Sequence, residues 1–301
     1  MSFINKALEK AKSLHHQKVK PTPAPGQALP DLPLPELEEV TGFAETPQEI
    51  NYTYTRTVAV VMNRLRRYRL NVNGTDQTLG EAYKLLRTHL LHRTKREGRN
   101  TLMITSPLPN EGKTLTTINL AVALSQKVGQ TVLLVDADLR HPSIHRYLDL
   151  PSGPGLVDYL ISGYPIADSL VHPEGLANLV VLPAGKSTSE ASELLGSPLM
   201  VDLVKELKHF YPDRYVLFDL PPLIYADPLA FAPLVDGIIL IAEAGRTPRE
   251  EIVRAIELLK GFPVLGFVLN KMDTMSLGYD YYSKYYQDRD SSKKFKLPWR
   301  K

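Results

Sequence analysis

The sequence predicts an α/β fold, a mostly parallel sheet with helices on both faces. Two observations lead to it. Short runs rich in Val, Ile and Leu alternate with segments of helical period along residues 79–269. The first of these runs, TLMIT, leads into a loop that ends in Gly112-Lys113-Thr114 and opens a helical pattern. Strand, loop, Gly-Lys-Thr and helix in that order make a phosphate-binding loop, so the expected architecture is the P-loop NTPase type.

Taken from the N-terminus, residues 1–19 read as a short amphipathic helix. Phe3, Ile4, Ala7, Leu8, Ala11 and Leu14 share one face, and Lys6, Lys10 and Lys12 lie elsewhere. Such a helix is marginal alone in water; it can dock on a partner, on an anionic membrane surface or on its own domain. Residues 20–50 form a linker. Pro21, Pro23, Pro25, Pro30, Pro33, Pro35 and Pro47 forbid regular structure, and Glu36, Glu38, Glu39 and Glu45 repel one another. A globular domain is expected over 51–275, followed by a tyrosine-rich tail, 276–301.

Within the domain the expected helices are Leu79–His92, Thr114–Val128, Ser143–Tyr147, Leu156–Ile161, Pro198–Phe210 and Arg249–Leu259. The expected strands are Thr101–Thr105, Thr131–Asp136, Leu179–Leu182, Tyr215–Asp219, Gly237–Ala242 and Val264–Leu269. The basic stretch from Arg56 to Leu70 reads as a solvated helix face rather than a nucleic-acid surface, and the net charge of +3 gives no further support for nucleic acid.

Composition narrows the chemistry. There is no cysteine, which excludes disulfides, zinc–thiolate sites and a cysteine nucleophile, and fits a reducing cytoplasm. The N-terminus lacks the continuous apolar core of a signal peptide. The most apolar region, 215–244, is interrupted by Asp219, Pro221, Pro222, Asp227, Pro228, Pro233 and Asp236, so no membrane-spanning helix is expected.

In open parallel sheets ligands bind at the carboxyl ends of the strands, where the sharpest residues of this chain fall. The loop backbone and the helix N-terminus can point N–H groups at phosphate oxygens. Lys113 adds a mobile positive charge, and the Thr114 hydroxyl can reach Mg²⁺. Asp136 and Asp138 end one strand and Asp219 another, the magnesium-holding arrangement of P-loop enzymes. Three carboxylates exceed the usual need of one ion, so one is expected to serve as a base or to position the nucleophile. The competing reading, that each Asp only caps a turn, suits one such residue better than three.

These pieces, in order, resemble the bacterial tyrosine kinases of exopolysaccharide and capsule assembly and, more distantly, the MinD/ParA-like ATPases. EAYKLLRTHL is similar to the kinases' Glu-x-x-Arg-x-x-Arg helix, with Lys84 in place of the middle Arg. TSPLPNEGKT is similar to their Walker A loop, which counts from Ser106; this accounts for Pro107, while Asn110 stands where Gly is common. VLLVDADLRHPSIH resembles Walker A′, and FDLPP resembles Walker B with Leu220 in place of Thr. AEAGRTPREEIVRAIELL and GFVLNK resemble the last helical unit and strand, so the likeness runs over about residues 78–286.

The resemblance implies a protein-tyrosine autokinase that uses ATP and Mg²⁺. It implies nucleotide contacts from Asn110, Glu111, Gly112, Lys113, Thr114 and the next position, Leu115, with Asn270 at the adenine. It places Asp138 and Asp219 around the metal beside Thr114 and has Asp136 orient or deprotonate the nucleophile, so Lys113, Asp136, Asp138 and Asp219 form the catalytic set. Glu81, Lys84 and Arg87 would contact a neighbour in a homo-oligomeric ring; Lys84 keeps the charge of Arg but not its bidentate fork. The acceptors would be Tyr279, Tyr281, Tyr282, Tyr285 and Tyr286, which crowd a polar segment without core periodicity. Each phosphorylation would add about −1.5 to −2 charge near Lys293, Lys294, Lys296 and Arg300. The implied activator is a membrane polysaccharide-chain-length (copolymerase-type) protein, and the implied location is cytoplasmic, peripheral to the inner membrane through that partner. SFINKALEKA also resembles leader helices of exopolysaccharide systems. Two alternatives stay open: a MinD/ParA-like ATPase switch, although 106–111 lacks the early Lys such proteins usually carry, and a weakly catalytic ATP-binding assembly partner.

Overall fold

The computed structural model describes residues 55–72, 76–176, 178–210 and 214–272. The chain divides into two units, Met1–Glu45 and Thr46–Lys301, and the described residues all belong to the second. The segment expected to form an N-terminal helix, the proline-rich linker and the tyrosines of the C-terminal tail lie outside the described residues.

Among the described residues eight strands form one sheet. They are β1 (Arg56–Val58), β2 (Thr101–Thr105), β3 (Thr131–Asp136), β4 (Val171–Pro173), β5 (Leu179–Leu182), β6 (Arg214–Asp219), β7 (Gly237–Glu243) and β8 (Val264–Asn270), in the spatial order β1-β4-β5-β3-β6-β2-β7-β8. All neighbours pair in parallel except β4 and β5. The helices are α1 (Met62–Arg67), α2 (Gln77–Thr94), α3 (Lys113–Ser125), α4 (Ile144–Tyr147), α5 (Leu156–Ser162), α6 (Ile166–Ser169), α7 (Ala191–Leu195), α8 (Pro198–Phe210), α9 (Asp227–Phe231) and α10 (Arg249–Leu258).

The central strands are buried on both faces, which is why they read as continuous apolar runs. Their alternate side chains feed two cores. Leu133, Val135, Val216 and Phe218 enter one, where Phe218 packs on Phe231 with ring centroids 4.8 Å apart. Leu102, Ile104, Val132 and Leu134 enter the other, with α3 supplying Ile118 and Ala121. Such two-sided burial, at about 25 cal/mol per Å², fixes the register of β3 against β6, because a one-residue slip would exchange the two faces.

Most expected elements are present to within two residues. The helix expected to reach Val128 ends at Ser125, because the chain turns into Gly129 at φ 71°. Three-residue strands went unseen. β1 lies in the basic stretch, and β4 ends on a proline that can pair only where the sheet needs no N–H. The stretch read as one helix face holds β1 and the short helix α1. There Leu65 is buried, Arg64, Arg66 and Arg67 are exposed, and Arg64 pairs with Asp149.

Candidate nucleotide and phosphoryl-transfer site

The loop after β2 is held by its own side chains. Thr105 donates to the Pro221 carbonyl (2.6 Å), tying the end of β2 to the segment after β6. Asn110 and Gly112 take positive φ, 66° and 88°, which turns the chain sharply before α3. At Gly112 a Cβ would meet Asn270 Nδ2 at 2.2 Å, so glycine is required both by the backbone and by the close approach. Glu111 is buried and accepts from the Leu108 N–H (2.9 Å) and the Thr247 hydroxyl. Asn270 Nδ2 donates to the Glu111 carbonyl (2.8 Å), and Lys271 Nζ donates to the Asn110 carbonyl (2.7 Å). The loop is therefore braced from β8, and the N–H groups that begin α3 are free of intrahelical partners, as at any helix start.

At the mouth of this loop the predicted residues converge. Lys113 Nζ lies 2.7 Å from Asp138 Oδ2 and 3.8 Å from Asp219 Oδ2. The Thr114 hydroxyl donates to Asp219 Oδ2 (2.6 Å), and the Thr117 hydroxyl donates to Asp219 Oδ1 (3.2 Å). Asp138 Oδ1 accepts from the His141 N–H (3.1 Å). Asp136 Oδ2 accepts from the N–H groups of Ser143 (2.9 Å) and Ile144 (3.0 Å), which folds residues 137–143 back over the strand ends. Asp136 Oδ1 is buried and has no hydrogen-bond partner.

Burial sets the electrostatics. It works against the Lys113 charge, but the carboxylates of Asp219 and Asp138 outweigh it and hold the ammonium above the usual lysine range. Burial pushes Asp219 up against the pull of Lys113 and Thr114. Burial, then repulsion from Asp219, pushes Asp136 up to about 7, against the two N–H bonds it accepts. Asp138 and Asp219 beside one lysine leave an excess of negative charge, to which Asp136 adds as it loses its proton, and a cation would relieve it.

The donor set also bears on which cation. Among the described residues no group of three or more His, Cys, Asp or Glu gathers at metal-holding spacing. One hydroxyl and two carboxylates, Thr114, Asp138 and Asp219, suit an ion that takes few protein oxygens and keeps its waters, as Mg²⁺ does.

Other predicted residues fall differently. The Leu115 side chain packs against the core, so position 115 offers a nucleotide only its backbone. Both Glu111 oxygens are engaged within the protein, and the Asn270 amide braces the loop. On α2 the exposed Glu81 and Lys84 pair with each other at 2.7 Å, while Arg87 Nη1 donates to the Ala123 carbonyl (2.8 Å) near the end of α3. Sequence reasoning missed one pair altogether. Arg140, two residues after Asp138, makes a bidentate bond to the fully buried Asp227 (2.7 and 2.9 Å) and lies over the Tyr225 ring, 5.2 Å from its centroid. Asp227 stands in the sequence only as one of three aspartates that interrupt an apolar region, and a carboxylate inside such a region is the signal.

Fold and loop together define a P-loop nucleotide-binding domain. Residues 102–301 match the CobQ/CobB/MinD/ParA nucleotide binding domain family. The chain is 32% identical over 212 residues to the putative tyrosine-protein kinase CapB of Staphylococcus aureus, covering 69% of this chain and 91% of CapB. It is 35% identical over 204 residues to the succinoglycan biosynthesis transport protein ExoP of Rhizobium meliloti, covering 65% of this chain but only 24% of ExoP. The solved kinase domain of the Escherichia coli tyrosine kinase ETK superposes with a TM-score of 0.62 at 27% identity, covering 68% of this chain and 82% of that one. The chain belongs to the CobQ/CobB/MinD/ParA nucleotide-binding family and, within it, to the bacterial tyrosine-protein kinases related to capsule and exopolysaccharide synthesis.

Proposed function

We propose that the protein is an ATP-dependent tyrosine autokinase that regulates the chain length or export of an exopolysaccharide. The carrying observation is Lys113, held between Asp138 and Asp219 beside the Thr114 hydroxyl at the mouth of the loop. The loop N–H groups and Lys113 bind the phosphates, and Lys113 leaves its ion pair to do so. Thr114, Asp138 and Asp219 would hold Mg²⁺, directly or through water, and the ion would supply neutralisation of the phosphate charge. The phenolic oxygen of an incoming tyrosine bonds to the γ-phosphorus, the bond to the β–γ bridging oxygen breaks, and ADP leaves. The phenolic proton passes to Asp136 Oδ1, the carboxylate oxygen left without a hydrogen bond. Asp136 has no exposed surface, so the 137–143 turn must shift to admit the tyrosine.

The acceptors are Tyr279, Tyr281, Tyr282, Tyr285 and Tyr286 of a neighbouring copy in a ring. Glu81 and Lys84 on the exposed face of α2 contribute to that contact, and Arg87 supports them from its tie to α3. Asn270, whose amide braces the Glu111 carbonyl, would contact the adenine. Kinship with the succinoglycan biosynthesis transport protein ExoP supports a partner in polysaccharide assembly, and we take that partner to be a membrane chain-length protein. Among the described residues no helix is long and apolar enough to cross a membrane. We place the protein on the cytoplasmic side, held at the inner membrane by that partner.

Purified protein incubated with Mg-ATP, followed by mass mapping, should carry phosphotyrosine on the tail. A full-length copy with the five tyrosines changed to Phe should label a Lys113→Met copy. ATP hydrolysis with no phosphotyrosine on any of the five would instead support a MinD/ParA-like switch.

A further inference from the structure

The solvent side of α1 is built from arginine. Leu65 is fully buried and seats the helix on the core that holds Leu70 and Ile118. At about 100° per residue Arg67 falls opposite Leu65, with Arg64 and Arg66 to either side, and all three are exposed. Arg69 follows in the turn that ends the helix. The Leu70 N–H donates to the Leu65 carbonyl (3.1 Å) and the Arg69 N–H to the Arg66 carbonyl (2.9 Å), with Arg69 at φ 57°. Glycine is the usual residue at that left-handed position, so an arginine there is strained. The turn is held from α3, where Asn119 Nδ2 donates to the Arg69 carbonyl (3.3 Å) and Asn119 Oδ1 accepts from the Asn71 N–H (2.9 Å).

Helix α4 lies beside this turn. The Tyr68 and Tyr147 rings meet edge to face, with centroids 5.2 Å apart, and Arg146 on α4 is exposed. Neither α1 nor α4 contains an acidic residue. Arg64 is neutralised by Asp149, while Arg66, Arg67, Arg69 and Arg146 make no ion pair among the described residues. Two apolar groups accompany these charges. Val61, at the start of α1, is 50% exposed, and Tyr68, at its end, is 43% exposed.

We propose that α1 and α4 form a surface that docks directly on an anionic phospholipid bilayer. The inference goes beyond the kinase reading and does not depend on it. Lipid phosphates complement the four guanidinium groups that lack a counter-charge, and each basic group near such a surface strengthens binding about fivefold. Tyr68, apolar in its ring and polar at its tip, suits the headgroup level, and Val61 suits the acyl boundary beneath it. Nucleic acid would satisfy the same charges but would give Val61 no apolar partner. The N-terminal segment, with Lys6, Lys10 and Lys12, is expected to favour the same kind of surface, and two weak contacts on one chain act together.

The full chain is tested by cosedimentation with vesicles of phosphatidylcholine alone and of phosphatidylcholine mixed with phosphatidylglycerol. Binding should require the anionic lipid and weaken as salt is added. Arg66→Gln together with Arg67→Gln should cut it at least tenfold, with melting temperature and nucleotide affinity unchanged, and Arg66→Lys with Arg67→Lys should retain it. Arg69→Gly should cut binding about fivefold yet raise the melting temperature, because it removes the charge and the strain together; a purely structural role for Arg69 predicts no loss of binding. The chain has no cysteine, so Val61→Cys can carry a single environment-sensitive dye. Its emission should shift to the blue on anionic vesicles and stay unchanged on a DNA duplex. Failure of the full chain to bind anionic vesicles, undiminished binding by the double glutamine variant, a dye that does not shift, or arginine-dependent binding that is tighter to the duplex than to the vesicles would each overturn the proposal.

Discussion

Removing Arg140 should destabilise the protein more than neutralising its partner Asp227, although both changes break one ion pair. The asymmetry comes from burial. Asp227 is wholly buried, while the Arg140 side chain keeps 26% of its surface exposed. In Arg140→Ala the carboxylate is left in the interior with only the Ser192 hydroxyl for a partner, and an uncompensated buried charge costs about 3–5 kcal/mol. In Asp227→Asn the amide keeps the shape and an acceptor oxygen, and Arg140 can take up water. The loss there is the charge assistance of its hydrogen bonds, about 1–2 kcal/mol. The expected gap of roughly 2 kcal/mol is resolvable by urea denaturation with linear extrapolation at constant m-value. The double variant should be more stable than Arg140→Ala alone, because the stranded charge is gone. A double variant no more stable than Arg140→Ala, or an Asp227→Asn cost equal to that of Arg140→Ala, would refute the stranded-charge argument. Because Arg140 closes the turn that carries Asp138, Arg140→Lys should recover stability better than kinase rate, a single ammonium lacking the bidentate fork.

Three further outcomes are expected. Lys113→Met should abolish tyrosine labelling while circular dichroism stays native, and it should lower the melting temperature because Asp138 and Asp219 lose their shared cation. Gly112→Ala forces a left-handed residue and displaces Asn270 from the Glu111 carbonyl; at about 2 kcal/mol together, this should weaken nucleotide binding about 30-fold in a fluorescence titration. Asp136 holds its proton up to about pH 7 in the folded state but only to about 3.8 when unfolded, so its favourable contribution is present at low pH and lost as pH rises through 7. Urea unfolding of nucleotide-free protein should therefore show wild type losing more stability between pH 5 and pH 8 than Asp136→Asn; parallel pH profiles for the two proteins would remove the assignment.

Local signals were enough for much of the fold. The strands Thr101–Thr105, Thr131–Asp136 and Leu179–Leu182 and the helix Pro198–Phe210 stand at the bounds their residues predict. Apolar runs and helical period act over a few residues, where backbone sterics and side-chain spacing decide. The phosphate loop was legible for the same reason, since its Gly-Lys-Thr lies in one short segment between a strand and a helix. Elements of three or four residues, such as β1, β4 and α6, carry too few side chains to show a period.

What only the tertiary structure decided is which distant residues meet. Lys113, Asp138 and Asp219 share one site because β6 lies between β2 and β3, an order that no local pattern encodes. Sheet order follows from burying both faces of each strand at once, a condition on the whole chain. The same holds for Asn270, which reaches across 159 positions to the Glu111 carbonyl, and for Arg140 and Asp227, 87 positions apart. The residue types that can bind phosphate were written in the sequence. The burial that pairs Lys113 with two carboxylates, leaves Asp136 Oδ1 without a partner and strands Asp227 unless Arg140 is present came only with the packed sheet.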